Sequence, residues 1–62
     1  MNAETLSKIA REILLSADAH PSDLATASTD VLVADLFSLA SVTDEATARI
    51  AESVAEALAD TI

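Results

Sequence analysis

Few side chains in this sequence could do chemistry, and they are scattered. His20 is the only histidine, with Asp18 and Asp23 close by in the chain. That trio could form part of a metal site. A zinc-type centre, however, needs three or four converging ligands, and the chain has no cysteine to complete one. Hydroxyls are plentiful, Ser38 and Ser41 among them, but an activated nucleophile needs a base at a workable spacing and none is identifiable. General acid–base work wants a perturbed group in a pocket, which a few short helices hardly enclose. The sequence therefore predicts no catalytic residue, no cofactor and no metal. His20 reads as a polar turn residue ahead of Pro21.

What the chain holds in quantity is carboxylate and aliphatic surface. Eleven acidic residues stand against Lys8, Arg11 and Arg49, a formal charge of −8. Affinity for nucleic acid rests on cations that neutralise phosphates, so the charge disfavours direct binding to DNA or RNA, and no direct nucleic-acid partner is expected. An anionic membrane surface would repel the chain for the same reason. The charge leaves solubility, a basic protein partner, or mimicry of nucleic acid. Composition is 52% hydrophobic, which argues against disorder. No apolar run approaches the ~20 residues that span a bilayer. Met1-Asn2-Ala3-Glu4 lacks a basic, then apolar, secretory pattern, which predicts a cytoplasmic protein.

The elements that position these residues are helical, and residues 1–62 read as one domain. A first helix over about 3–18 has Asn2 as N-cap and Glu4 in its first turn. Leu6, Ile9, Ala10, Ile13, Leu14 and Ala17 share one stripe at about 100° per residue. Lys8, Arg11 and Glu12 fall opposite, Glu4 and Lys8 form a favourable i,i+4 pair, and Leu15 projects off the stripe. Proline disfavours helix in the residue before it, so this helix ends by Ala19. Ser22 or Asp23 can cap a new start, and Leu24–Thr29 is weakly helical, with Ser28 or Thr29 able to cap another. Whether 22–41 is one helix or two stays open. Over 30–41 the recurrence of Leu32, Leu36 and Leu39, and of Val33, Phe37 and Ala40, is helical, with an apolar arc of roughly 160°. Thr43 then caps a last helix over about 44–60, with Val42 able to pack on Ala46 or Thr47. Ile50, Val54, Ala57 and Leu58 form its inner face, with Ala51 and Ala55 beside them. Glu45, Arg49, Glu52, Ser53, Glu56 and Asp60 form its outer one.

In one respect the central helix resembles acyl carrier proteins, which are small, acidic and all-α and carry a Ser-Leu pair: Ser38-Leu39 follows Asp35-Leu36-Phe37 here. Carrier proteins place that serine directly after aspartate, at a helix start behind a glycine-bearing loop. This chain has no glycine, and Ser38 falls inside a helix. No family is assigned.

These readings combine into an all-α bundle or hairpin of about three helices, completed by dimerisation. Eighteen large apolar residues and fourteen alanines exceed what 62 residues easily enclose, and small domains without disulfide or metal commonly recruit a partner. The expected function is a small intracellular regulator, of the kind phages and mobile elements encode, that binds and inhibits a larger protein. Leu15, Leu32, Val33, Leu36, Phe37 and Leu39 are the expected contact residues, with Phe37 as anchor. Glu45, Glu52, Glu56 and Asp60 form an acidic face. The expected partners are a second copy of the chain and a protein of undetermined identity. A structural subunit of a capsid, tail or scaffold is the alternative, followed by an acidic nucleic-acid mimic.

Overall fold

The computed structural model describes residues 2–17 and 21–61, together forming α1 (Ala3–Ser16), α2 (Pro21–Ala25), α3 (Thr29–Ala40) and α4 (Glu45–Ala59). Three longer helices and one short turn of helix thus make up an all-α fold, with no strand among the described residues. Residues 41–44 join α3 to α4, which make the most extensive helix–helix contact, and α1 packs against both. Expectations placed on Asp18, Ala19 and His20, and on the Asp23 side chain, lie outside the described residues.

Local chemistry explains where the helices start. The Asn2 Oδ1 accepts from the Thr5 amide at 2.8 Å and caps α1. Ser28 caps α3, its hydroxyl accepting from the Val31 amide at 3.5 Å, so the chain breaks between α2 and α3 instead of running on as one helix. Two expected caps move. Pro21 opens α2, where its fixed φ suits a first helical position, and Ser22 and Asp23 lie inside the helix. Asp44, not Thr43, caps α4, with its Oδ2 accepting from the Thr47 amide at 3.1 Å. Thr43 supports that cap by donating its hydroxyl to the Asp44 Oδ1 at 3.3 Å. With the cap one residue later, Val42 has no helix turn to pack on and stays 82% exposed.

A chain without glycine must also end its helices without the left-handed residue that often closes them. The residues that follow α1, α3 and α4 all keep negative φ: −97° at Ala17, −81° at Ser41 and −66° at Asp60. Hydroxyls satisfy carbonyls in their place. Ser16 donates to the Glu12 carbonyl at 3.0 Å, Ser41 to that of Ser38 at 2.7 Å, and Thr61 to that of Leu58 at 2.6 Å. At the end of α2 the Thr26 hydroxyl donates to the Ser22 carbonyl at 3.5 Å, and Arg11 adds two further bonds, its Nε to the Leu24 carbonyl at 3.1 Å and its Nη2 to that of Ala27 at 3.3 Å. Arg11 is therefore no solvated residue on the polar side of α1, as its spacing suggests. The Glu4–Lys8 ion pair does not form; the pair among the described residues is Arg49–Glu45 at 2.7 Å, both side chains well exposed.

The core comprises Leu6, Ala10 and Leu14 of α1, Leu24 of α2, Leu32 and Leu36 of α3, and Ala51, Ala55 and Leu58 of α4. Ile13, Val33, Leu39 and Val54 pack at its border. α4 is rotated from its expected register: alanines 51 and 55 are fully buried, whereas Ile50 is 57% exposed and Ala57 faces outward. The reason is steric. Methyl side chains let α3 approach closely, and the leucines of α3 fill the space that a larger residue of α4 would occupy. The radius of gyration is 10.3 Å, against about 10.6 Å expected for a folded chain of this length. The accessible surface of 3961 Å² matches the roughly 3,800 Å² of a folded monomer of this mass.

Candidate protein-interaction surface

Six residues were expected to meet a partner, and the fold separates them. Leu32 and Leu36 point inward from α3 and are buried at 1% and 0% exposure, so they hold the helices together and have no outward surface. Val33 and Leu39 are half-buried against that core. Leu15 and Phe37 remain in contact with water, at 43% and 44% exposure. The broad apolar arc of α3 is thus divided between a buried leucine stripe and an outer remainder.

That outer remainder has a definite shape. Measured around the helix at about 100° per residue, Leu32 and Leu36 mark the centre of the buried side. Val31, Ala34, Phe37, Ser38 and Ser41 spread over the opposite arc of roughly 120°, and all five are exposed. Val31 is 46% exposed. Small side chains at 34, 38 and 41 run between Val31 on one flank and Phe37 on the other. Asp30 stands exposed within that arc, and Asp35 stands exposed just beyond its Val31 flank.

Two exposed apolar residues escaped the sequence reading, Val42 and Ile50. Ile50 was assigned inward because it shares a helical stripe with Val54 and Leu58. An equally regular stripe through Ala51, Ala55 and Leu58 was present one residue further on, and only the distance to α3 decides between them. Val42 was hidden by the cap assignment at Thr43, since a residue packs at that place only if the helix begins directly after it.

The acidic face falls where expected. Glu45, Glu52, Glu56 and Asp60 are all exposed on the outer side of α4. Arg49 lies among them and is bound to Glu45, so it does not neutralise the other three. At the start of this face, hydrogen bonds from Thr47, side chain first and backbone second, hold the Asp44 carboxyl below its ordinary value of 3.8, with Thr43 adding to the effect and slight desolvation opposing it.

Chemistry-bearing groups are not gathered elsewhere among the described residues. Among the described residues, no three acidic, histidine or cysteine side chains converge as a metal would need. One surface groove is lined by Asp44, Glu45, Ala46 and Arg49, where the carboxylates are engaged by the cap and the ion pair. Another, lined by Ala3, Ser28, Thr29, Asp30 and Thr61, lies where two helices start and α4 ends. No described helix is long and apolar enough to cross a membrane. What the geometry offers is surface for contact: five large apolar side chains in water and one acidic helix face. No family model, no curated protein and no solved structure matches the chain.

Proposed function

We propose that this chain is a small cytoplasmic regulator, of a kind encoded by phages and mobile elements, which acts by binding a larger protein and inhibiting it sterically. It also pairs with a second copy of itself. One observation carries the reading: Leu15, Val31, Phe37, Val42 and Ile50 stay 43–82% exposed in a fold that buries nine other apolar residues. Exposed apolar groups of this size are the ordinary currency of helix-to-helix recognition. The two copies meet through the outer face of α3, anchored by Phe37 and Val31. That face suits a second copy because it carries only Asp30 and Asp35, whereas contact through α4 would press together two faces that each expose Glu45, Glu52, Glu56 and Asp60.

Size-exclusion chromatography with light scattering, combined with capture of partners from the host on the immobilised chain, tests the proposal. The expected result is a discrete dimer, a captured protein whose activity falls on binding, and loss of the dimer in Phe37→Ala. Large or open-ended assemblies would instead favour a structural subunit. A strictly monomeric chain that captures nothing would overturn the regulator reading.

A further inference from the structure

α2 is attached to the rest of the molecule by few interactions. Of its described side chains Leu24 alone is buried, at 4% exposure, and the other eight buried residues belong to α1, α3 and α4. Those three helices pack on one another, and α2 makes no comparably broad contact with any of them. The Arg11 fork of α1, to the Leu24 and Ala27 carbonyls at 3.1 and 3.3 Å, adds to the attachment. The segment has little helical tendency of its own. Five residues are too few to sustain a helix, and Ser22, Thr26, Ser28 and Thr29 compete for the backbone in and after it.

The flanking helices do not need α2. Ser28 caps α3 with its own hydroxyl. At the end of α1 the Ala17 amide donates to the Leu14 carbonyl at 3.0 Å, and the Ser16 hydroxyl donates to that of Glu12 at 3.0 Å. Pro21 has no amide hydrogen with which to carry the α1 ladder into α2. Both boundaries are closed by local bonds that survive if α2 leaves. Backbone ordering opposes its attachment, while one leucine and a two-bond clamp favour it, so α2 lies nearer to balance than the helices that share the rest of the core. We infer that α2 is a strap: it opens as a unit, withdrawing Leu24 and releasing Arg11, while α1, α3 and α4 stay assembled. Opening leaves a leucine-sized slot in the core beside α1 and frees the guanidinium next to it. The strap thus regulates how much apolar surface the chain presents to water, whatever the chain binds.

Native-state hydrogen exchange of the full chain, followed by NMR, tests this. The Ala27 amide, which donates to the Leu24 carbonyl at 3.2 Å, reports on the strap; those of Leu36 and Val54, in the middle of α3 and α4, report on the bundle. Ala27 is expected to exchange at least about tenfold faster than Leu36 and Val54, yet more slowly than an unstructured peptide. Arg11→Met weakens the closed form alone and should speed exchange at Ala27 about tenfold. Ala55→Gly weakens α4 whether the strap is open or closed. It should speed Leu36 and Val54 roughly fivefold or more and leave Ala27 unchanged. Circular dichroism checks that each variant folds, and the rates in the parent chain decide the question should either fail. If Ala27 exchanges in step with Leu36 and Val54, and quickens with them in Ala55→Gly, α2 opens only when the whole molecule unfolds and the inference falls. Exchange of Ala27 at the unstructured rate, unaltered by Arg11→Met, would mean that no closed strap exists and would overturn it equally.

Discussion

The Arg11 guanidinium donates through Nε to the Leu24 carbonyl at 3.1 Å, across thirteen residues of chain. Its Nη2 extends the same fork to the Ala27 carbonyl at 3.3 Å. One side chain of α1 thus holds the end of α2 and the start of the connection to α3, and it places positive charge where the carbonyls of a short helix point. Beneath it, Leu24 is buried in the core. A helix of five residues has little stability of its own, so α2 depends on this clamp and on its leucine.

Arg11→Met keeps the aliphatic stem and removes the donors. It is expected to cost about 1.5–3 kcal/mol, the range for hydrogen bonds that involve a charged group. In a domain this small, each kilocalorie corresponds to roughly 4–8 °C of melting temperature. Lysine cannot form the two-carbonyl fork, so Arg11→Lys should recover only part of the loss. Urea and thermal melts followed by circular dichroism measure both. A methionine variant as stable as the parent would show that the fork contributes nothing.

Leu36 is fully buried and central to α3. Leu36→Ala is expected to destabilise by about 2–5 kcal/mol through lost burial and a cavity. The whole core of a domain this size supplies about 3–5 kcal/mol net, so the variant should be largely unfolded at room temperature. A cooperative melt at nearly the parent temperature would contradict the placement of Leu36.

The register of α4 makes opposite predictions for adjacent residues. Ala51→Leu forces a large side chain into the close approach of α3 and should cost about 1–3 kcal/mol. Ile50→Ser changes a side chain that is mostly in water and should alter stability by less than about 1 kcal/mol. Had Ile50 faced inward, the order would reverse, so chemical denaturation of the two variants checks the rotation of the helix directly.

Among the described helix N-caps, Asp44 is the carboxylate. Hydrogen bonds from Thr47 keep its folded-state value below the ordinary 3.8, so the ionised form favours the fold. That contribution is complete above pH 3.8 and is lost as pH falls through the lower, folded-state value. Asn also caps helices but does not titrate. Asp44→Asn is therefore expected to fold normally at neutral pH and to lose less stability in acid. Urea melts over a pH series give the comparison; an identical acid limb in both proteins would assign the dependence to other carboxylates.

Much of this architecture can be read from residues close together in the chain. The Asn2 cap, the Leu6–Ala10–Leu14 stripe, the outward Leu15 and the acidic side of α4 all follow from interactions spanning one helical turn, whereas the residues around Ser28 fit a break or a continuation equally well. Such interactions are complete within a few neighbouring residues, and the sequence states them openly. The all-helical class itself, without membrane-spanning helices among the described residues, was legible on the same terms.

Which side chains remain in water was decided only by packing. Leu32 and Leu36 belong to the same apolar arc as Phe37, and nothing local distinguishes those that turn inward. Ile50 and Ala51 are equally good members of a helical stripe, and the separation of α3 from α4 chooses between them. Arg11 reads as solvated until α2 folds back over it. Each of these outcomes depends on the distance between elements far apart in the chain, a quantity that periodicity and propensity do not contain.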